Sequence, residues 1–105
     1  MVQRVIFYKL KPEVDDIRLV EMMRATRSIL LKVPEILTVT AGRALSPENE
    51  WPFTVTLEFD TLDRKRIAED DPAFIRFDQA VVQPFTLDHY HLDYELDPSK
   101  ALKYS

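Results

Sequence analysis

The chain contains no cysteine, a single glycine, two histidines and one tryptophan in 105 residues. Without cysteine there is no disulfide framework, no thiolate metal site and no thiol nucleophile. A reducing cytoplasm suits such a composition, and the expected location is cytoplasmic. The lone glycine, Gly42, rules out a glycine-rich phosphate loop. No run approaches the roughly 18 apolar residues of a membrane span. The opening Met-Val-Gln-Arg leads directly into strand-like residues, without the apolar stretch of a signal peptide. A net charge of −4 gives no basic surface for nucleic acid or for an anionic membrane. The serines lie in no nucleophile-elbow pattern.

What is present is a globular balance, with 46% hydrophobic and 30% charged residues. One domain of this length buries a modest core and gains from a partner. Val2 to Leu10 reads as a strand that is apolar on both faces, with Val5 and Phe7 on one side and Ile6, Tyr8 and Leu10 on the other. Asp15 or Asp16 caps a helix predicted to run to Val33, with Leu19, Met22, Met23, Thr26, Ile29, Leu30 and Val33 as its apolar stripe. Ile36 to Ala44 is a second strand, and Gly42 near its end marks a bulge or a close backbone approach.

Phe53 to Asp60 alternates cleanly, Phe53, Val55, Leu57 and Phe59 against Thr54, Thr56, Glu58 and Asp60. Thr61 caps a short helix ending near Asp70. Asp71-Pro72 starts another, running to Gln83, where Asp71 caps free N–H groups and proline occupies the first helical position. Phe85 to Leu96 is the last strand. Residues 1–97 form the expected domain and 98–105 a polar C-terminal tail.

The order βαββ(αα)β predicts an α+β fold, a ferredoxin-like sandwich with its helices on one face of the sheet. A doubly apolar first strand needs cover on the other face too. Two sheets packed face to face would supply it, so the expected partner is a second copy, giving a homodimeric α+β barrel.

Four segments, VIFYKLKPEV, GRALSPEN, FTVTLEFD and DPAFIRF, followed by LDYE, occur in the order and spacing of the stress-responsive A/B barrel (Dabb) family, which the chain resembles over most of its length. The resemblance implies a homodimeric α+β barrel and, in ligand-binding members, a small pocket between helices and sheet. It implies no single activity. A polyketide cyclase of the family places histidines and a tyrosine at the positions of Arg4, Phe53, Ala68 and Phe74. Alanine and phenylalanine cannot exchange protons, so that site does not transfer.

Two places remain for chemistry. His89, His91 and Asp93 share one face of the last strand by period two. Histidine with carboxylate suits a transition metal, but the expected reading is a polar set on the barrel face beside Thr54, Thr56 and Glu58. No metal or cofactor is expected. On the helix side, Arg4, Tyr8, Phe53, Phe74 and Tyr90 are the expected ligand-binding residues, suited to a small aromatic molecule or a carboxylate paired by guanidinium. The alternative is that the phenylalanines fill the core and Arg4 reaches water. Function divides accordingly: a homodimer that binds a small organic ligand or is structural, or an enzyme transferring protons on a small aromatic or polyketide-like substrate (a cyclase, isomerase or dehydratase) through Tyr8, His89 or His91.

Overall fold

A computed structural model describes residues 1–98. The 98–105 tail lies, apart from Pro98, outside the described residues. The elements are β1 (Val2–Leu10), α1 (Asp16–Leu30), β2 (Ile36–Arg43), β3 (Phe53–Phe59), α2 (Leu62–Glu69), α3 (Pro72–Phe77), a wide helical turn (Asp78–Val82), α4 (Gln83–Phe85) and β4 (Thr86–Glu95). They form the ferredoxin-like α+β arrangement. One antiparallel sheet has strand order β2-β3-β1-β4, and helices cover one face.

Helix α1 begins where Asp15 accepts a hydrogen bond from the Arg18 amide at 2.8 Å. It ends at Leu30, three residues before the predicted Val33. Pro34 disfavours helical backbone at the residue before it, so the chain leaves through a turn while Val33 stays buried. The stripe Leu19, Met22, Ile29 and Leu30 packs on the sheet with Phe53, Val55, Leu57 and Phe59 of β3. Phe53 is fully buried, and burial of such a ring is worth roughly 1.5–3 kcal/mol. No bulge forms at Gly42. The register shifts instead between Ile36 and Thr38 and between Lys9 and Leu10. Gly42 meets a close approach, however, because a Cβ there would lie 3.3 Å from Cγ2 of Thr54.

The helix starting at Pro72 does not run evenly to Gln83. After Phe77 it widens, and the Gln83 amide donates to the Asp78 carbonyl five residues back. Pro84 explains the widening. It lacks an N–H, and in a regular helix its ring would strike the carbonyl of Ala80. The wide turn lets the chain continue through Pro84 to Phe85, and both Val81 and Val82 reach the core.

The β1–β4 register corrects the expected faces of the last strand. Arg4 pairs with Asp93, Ile6 with His91 and Tyr8 with His89, and directly paired residues project to the same side. His89, His91 and Asp93 therefore face the helices, not the Thr54, Thr56 and Glu58 side. Tyr90, expected beneath the helices, pairs with Phe7 and lies on the open face. The inversion has a physical reason. β4 is an edge strand exposed along nearly all its length, and it carries its apolar residues Tyr90, Leu92 and Tyr94 on the side away from the helices. Alternation shows which residues share a face but not which face is covered.

Candidate functional site

The helix side of β1 presents Arg4, Ile6 and Tyr8, flanked across the β4 edge by His89 and His91. Asp71 caps α3 by accepting from the Ala73 amide at 2.8 Å, with Pro72 at the first helical position. This start aims Phe74 and Phe77 over β1, their rings edge to face at 6.4 Å. The space left between α3, the wide turn and the two strands is a cavity of about 190 Å³, with Tyr8, Phe74, Asp78, His89 and His91 among its walls. It lies below the roughly 300–1,000 Å³ usual for ligand pockets, a size for one substituted ring rather than a fused system.

Tyr8 is the central group. Only 3% of the residue is exposed, and its ring packs on Phe53 at 5.4 Å and on His89 at 5.9 Å. Among the described residues its hydroxyl has no hydrogen-bond partner. No fully enclosed side-chain nitrogen or oxygen is left unpaired there, so the hydroxyl opens to the cavity. Burial pushes the Tyr8 phenol well above its ordinary value. The Asp78 carboxylate adds to that push and Arg4 opposes it. Tyr8 is thus a neutral donor. The imidazoles of His89 and His91 are also without a hydrogen-bond partner among the described residues, whereas Asp78 accepts from Nε2 of Gln83 at 2.7 Å.

Arg4 is not available to a ligand carboxylate. Its Nε and Nη2 donate to the two oxygens of Asp93 at 2.8 and 3.0 Å, and Nη1 lies 3.2 Å from Glu69. Lys65, nearly buried, joins the same carboxylates at 2.7 Å to Glu69 and 3.7 Å to Asp93. Two cations and two carboxylates cancel, tying α2 to β1 and β4. The hydrogen bonds from Arg4 hold the Asp93 carboxyl below its usual range, with burial acting the other way. This geometry corrects two expectations: Arg4 neither reaches water freely nor offers a vacant guanidinium. It also commits Asp93, and among the described residues no three His, Cys, Asp or Glu side chains are grouped as metal ligands would be.

Of the remaining candidates, Phe74 lines the cavity, whereas Phe53 is core beneath Tyr8. Tyr90 stacks on Phe7 at 4.8 Å on the open face, where Trp51 meets it edge-on at 4.8 Å. Asp78 and Lys65 were not anticipated, nor was the pairing of Glu69 with Arg4 and Lys65. Spacing held a signal for each: Asp78 stands four residues after Phe74, and Lys65 and Glu69 are an i, i+4 pair. A larger groove of about 490 Å³ lies at the end of the sheet around Met1 and Leu62, with Asp60, Tyr94 and Glu95 also on its walls.

The Stress responsive A/B Barrel Domain (Dabb) model matches residues 2–96. The chain belongs to this family. No curated protein matches the Dabb chain in sequence. Among solved structures it is similar to a Dabb family protein with a ferredoxin-like fold from Mesorhizobium loti, at 17% identity and TM-score 0.78, over 90% of this chain and 95% of that one. A dimeric ferredoxin-like protein of unknown function from Thermobifida fusca is similar at 18% identity and TM-score 0.77, over 90% of each chain. The hydroxynitrile lyase from Passiflora edulis is similar at 13% identity and TM-score 0.77, over 95% of this chain and 96% of that one. At such identities the likenesses show the fold. Among the described residues no helix is long and apolar enough to cross a membrane.

Proposed function

We propose that this Dabb protein is a homodimer that binds a small, uncharged organic molecule in the cavity beneath α3. The observation that carries the reading is the Tyr8 hydroxyl: buried, unpaired by protein among the described residues, and open to the cavity. The hydroxyl is a donor that no protein group uses among the described residues, and a ligand oxygen in the cavity can accept its hydrogen bond. Phe74 and Phe77 offer apolar walls. The balanced Arg4 network and the nearby Asp78 disfavour an anion, so the carboxylate class gives way to neutral aromatic alcohols and carbonyl compounds.

The dimer rests on the open face of the sheet. Tyr90, Leu92 and Tyr94 are 41%, 41% and 47% exposed, and they align with Phe7 and Val5 on the neighbouring strand. Covering several such side chains, at roughly 1.5–3 kcal/mol each when fully buried, offsets much of the association cost of about 4–15 kcal/mol. The relative from Thermobifida fusca is dimeric. A face-to-face pairing also leaves the helix-side cavity open to solvent. A reducing cytoplasm is the setting we infer, and residues 1–97 act as one unit in it. Light scattering on the full chain tests the assembly: a mass of two chains at micromolar concentration supports it, and a monomer overturns it.

A further inference from the structure

We infer that Tyr8 and His89 form an acid–base pair that moves a proton at the α-carbon of a small uncharged carbonyl compound. The inference rests on the cavity being a ligand site and adds a reaction to it. Tyr8 and His89 are register partners on β1 and β4, with ring centroids 5.9 Å apart, and both line the cavity. One presents an unpaired hydroxyl donor and the other an unpaired imidazole. A carbonyl oxygen and its α-carbon are separated by a single intervening atom, so one small molecule can meet both groups.

The step is balanced within these groups. The imidazole lone pair of His89 takes the α-proton. The C–H electrons become the new C=C bond, and the carbonyl electrons move onto oxygen. The Tyr8 hydroxyl donates its hydrogen bond to that oxygen as charge develops, the point at which a fixed donor lowers the barrier. Return of the proton from the imidazolium to the same carbon, or to the γ-carbon of a β,γ-unsaturated compound, regenerates His89, so the net reaction is proton exchange or double-bond isomerisation, with no oxidant or cofactor consumed. His91, two residues along on the same exposed edge, offers the proton a route to water. The acid–base groups thus come from the two strands, while the helix position carries Phe74 as an apolar wall.

The test uses the full-length protein with acetophenone and phenylacetone in D2O, following loss of the α-proton signal by NMR. The expected result is exchange about 100-fold faster than in buffer containing equal concentrations of free imidazole and phenol, falling to the buffer rate in both Tyr8→Phe and His89→Gln. Amide spectra report whether each variant is folded. Exchange no faster than buffer, with amide shifts showing ketone in the cavity, overturns the reaction and leaves the binding reading standing. No shifts with either ketone or with the matching alcohols counts against both. Acceleration that survives in a folded Tyr8→Phe or His89→Gln protein overturns the residue assignment.

Discussion

Tyr8 and His89 face one another across the β1–β4 pair, their rings in contact on the helix side of the sheet. That relationship makes the cavity polar at one wall and apolar at the other. It also means that two neighbouring strands bring Tyr8 and His89 to the site, while the wide helical turn adds Asp78.

The Tyr8 hydroxyl gives a stability signature at alkaline pH. Its proton is held more tightly in the folded chain than in the unfolded one. Above about pH 10 the unfolded chain releases that proton and the folded chain keeps it, so stability falls as pH rises, by up to about 1.4 kcal/mol per pH unit. Tyr8→Phe removes this contribution. Because no protein hydrogen bond is broken among the described residues, the variant should match the parent within about 1 kcal/mol at pH 8 and exceed it at pH 11. Urea unfolding at the two pH values measures the difference.

The Arg4–Asp93 pair should act in the opposite direction, at acid pH. The folded Asp93 carboxyl titrates below its usual range, so its contribution is present above the unfolded value near ~3.9 and disappears as pH falls through the lowered one. Asp93 is about one-third exposed, and solvent screening limits the pair to about 1 kcal/mol. Arg4→Gln should lower Tm at pH 7 by about 4–8 °C. Thermal unfolding should show the gap between parent and variant closing as pH falls through the lowered Asp93 value.

Two phenylalanines that looked equivalent in the sequence should separate in calorimetry. Phe53→Ala empties fully buried core and should cost about 3–5 kcal/mol. Phe74→Ala borders the cavity, where the ring is only partly buried. It should cost clearly less and leave a protein that accepts larger rings.

The open face should govern assembly and not the fold. Phe7→Asp places a charge opposite Tyr90 in the stacked pair. The expected outcome is a monomer by light scattering with an unchanged helical signal in circular dichroism. A variant that remains a dimer would place the interface elsewhere.

Much of the fold was legible because its signals are local. Asp15, Thr61 and Asp71 each cap a helix through their own side chains, and the alternation of β3 matches its burial residue by residue. The site was less legible because it depends on strand register. His89 and His91 share a face by period two, but which face they share is set by pairing with Ile6 and Tyr8 over eighty residues away. The occupation of Arg4 was hidden for the same reason, since both of its carboxylate partners are distant in sequence. The wide turn at Asp78–Val82 answers to Pro84, a local cause that periodicity does not express.

Binding at the cavity is the central claim, and amide chemical-shift mapping tests it most directly. A titration with small uncharged aryl ketones and alcohols should move Ile6, Tyr8, Asp78, His89 and His91 together, with Tyr8→Phe weakening the affinity by about 10-fold, the loss of one hydrogen bond of roughly 1 kcal/mol or slightly more. Shifts confined to Phe7, Trp51 and Tyr90 on the open face, or no shifts at all, would contradict it.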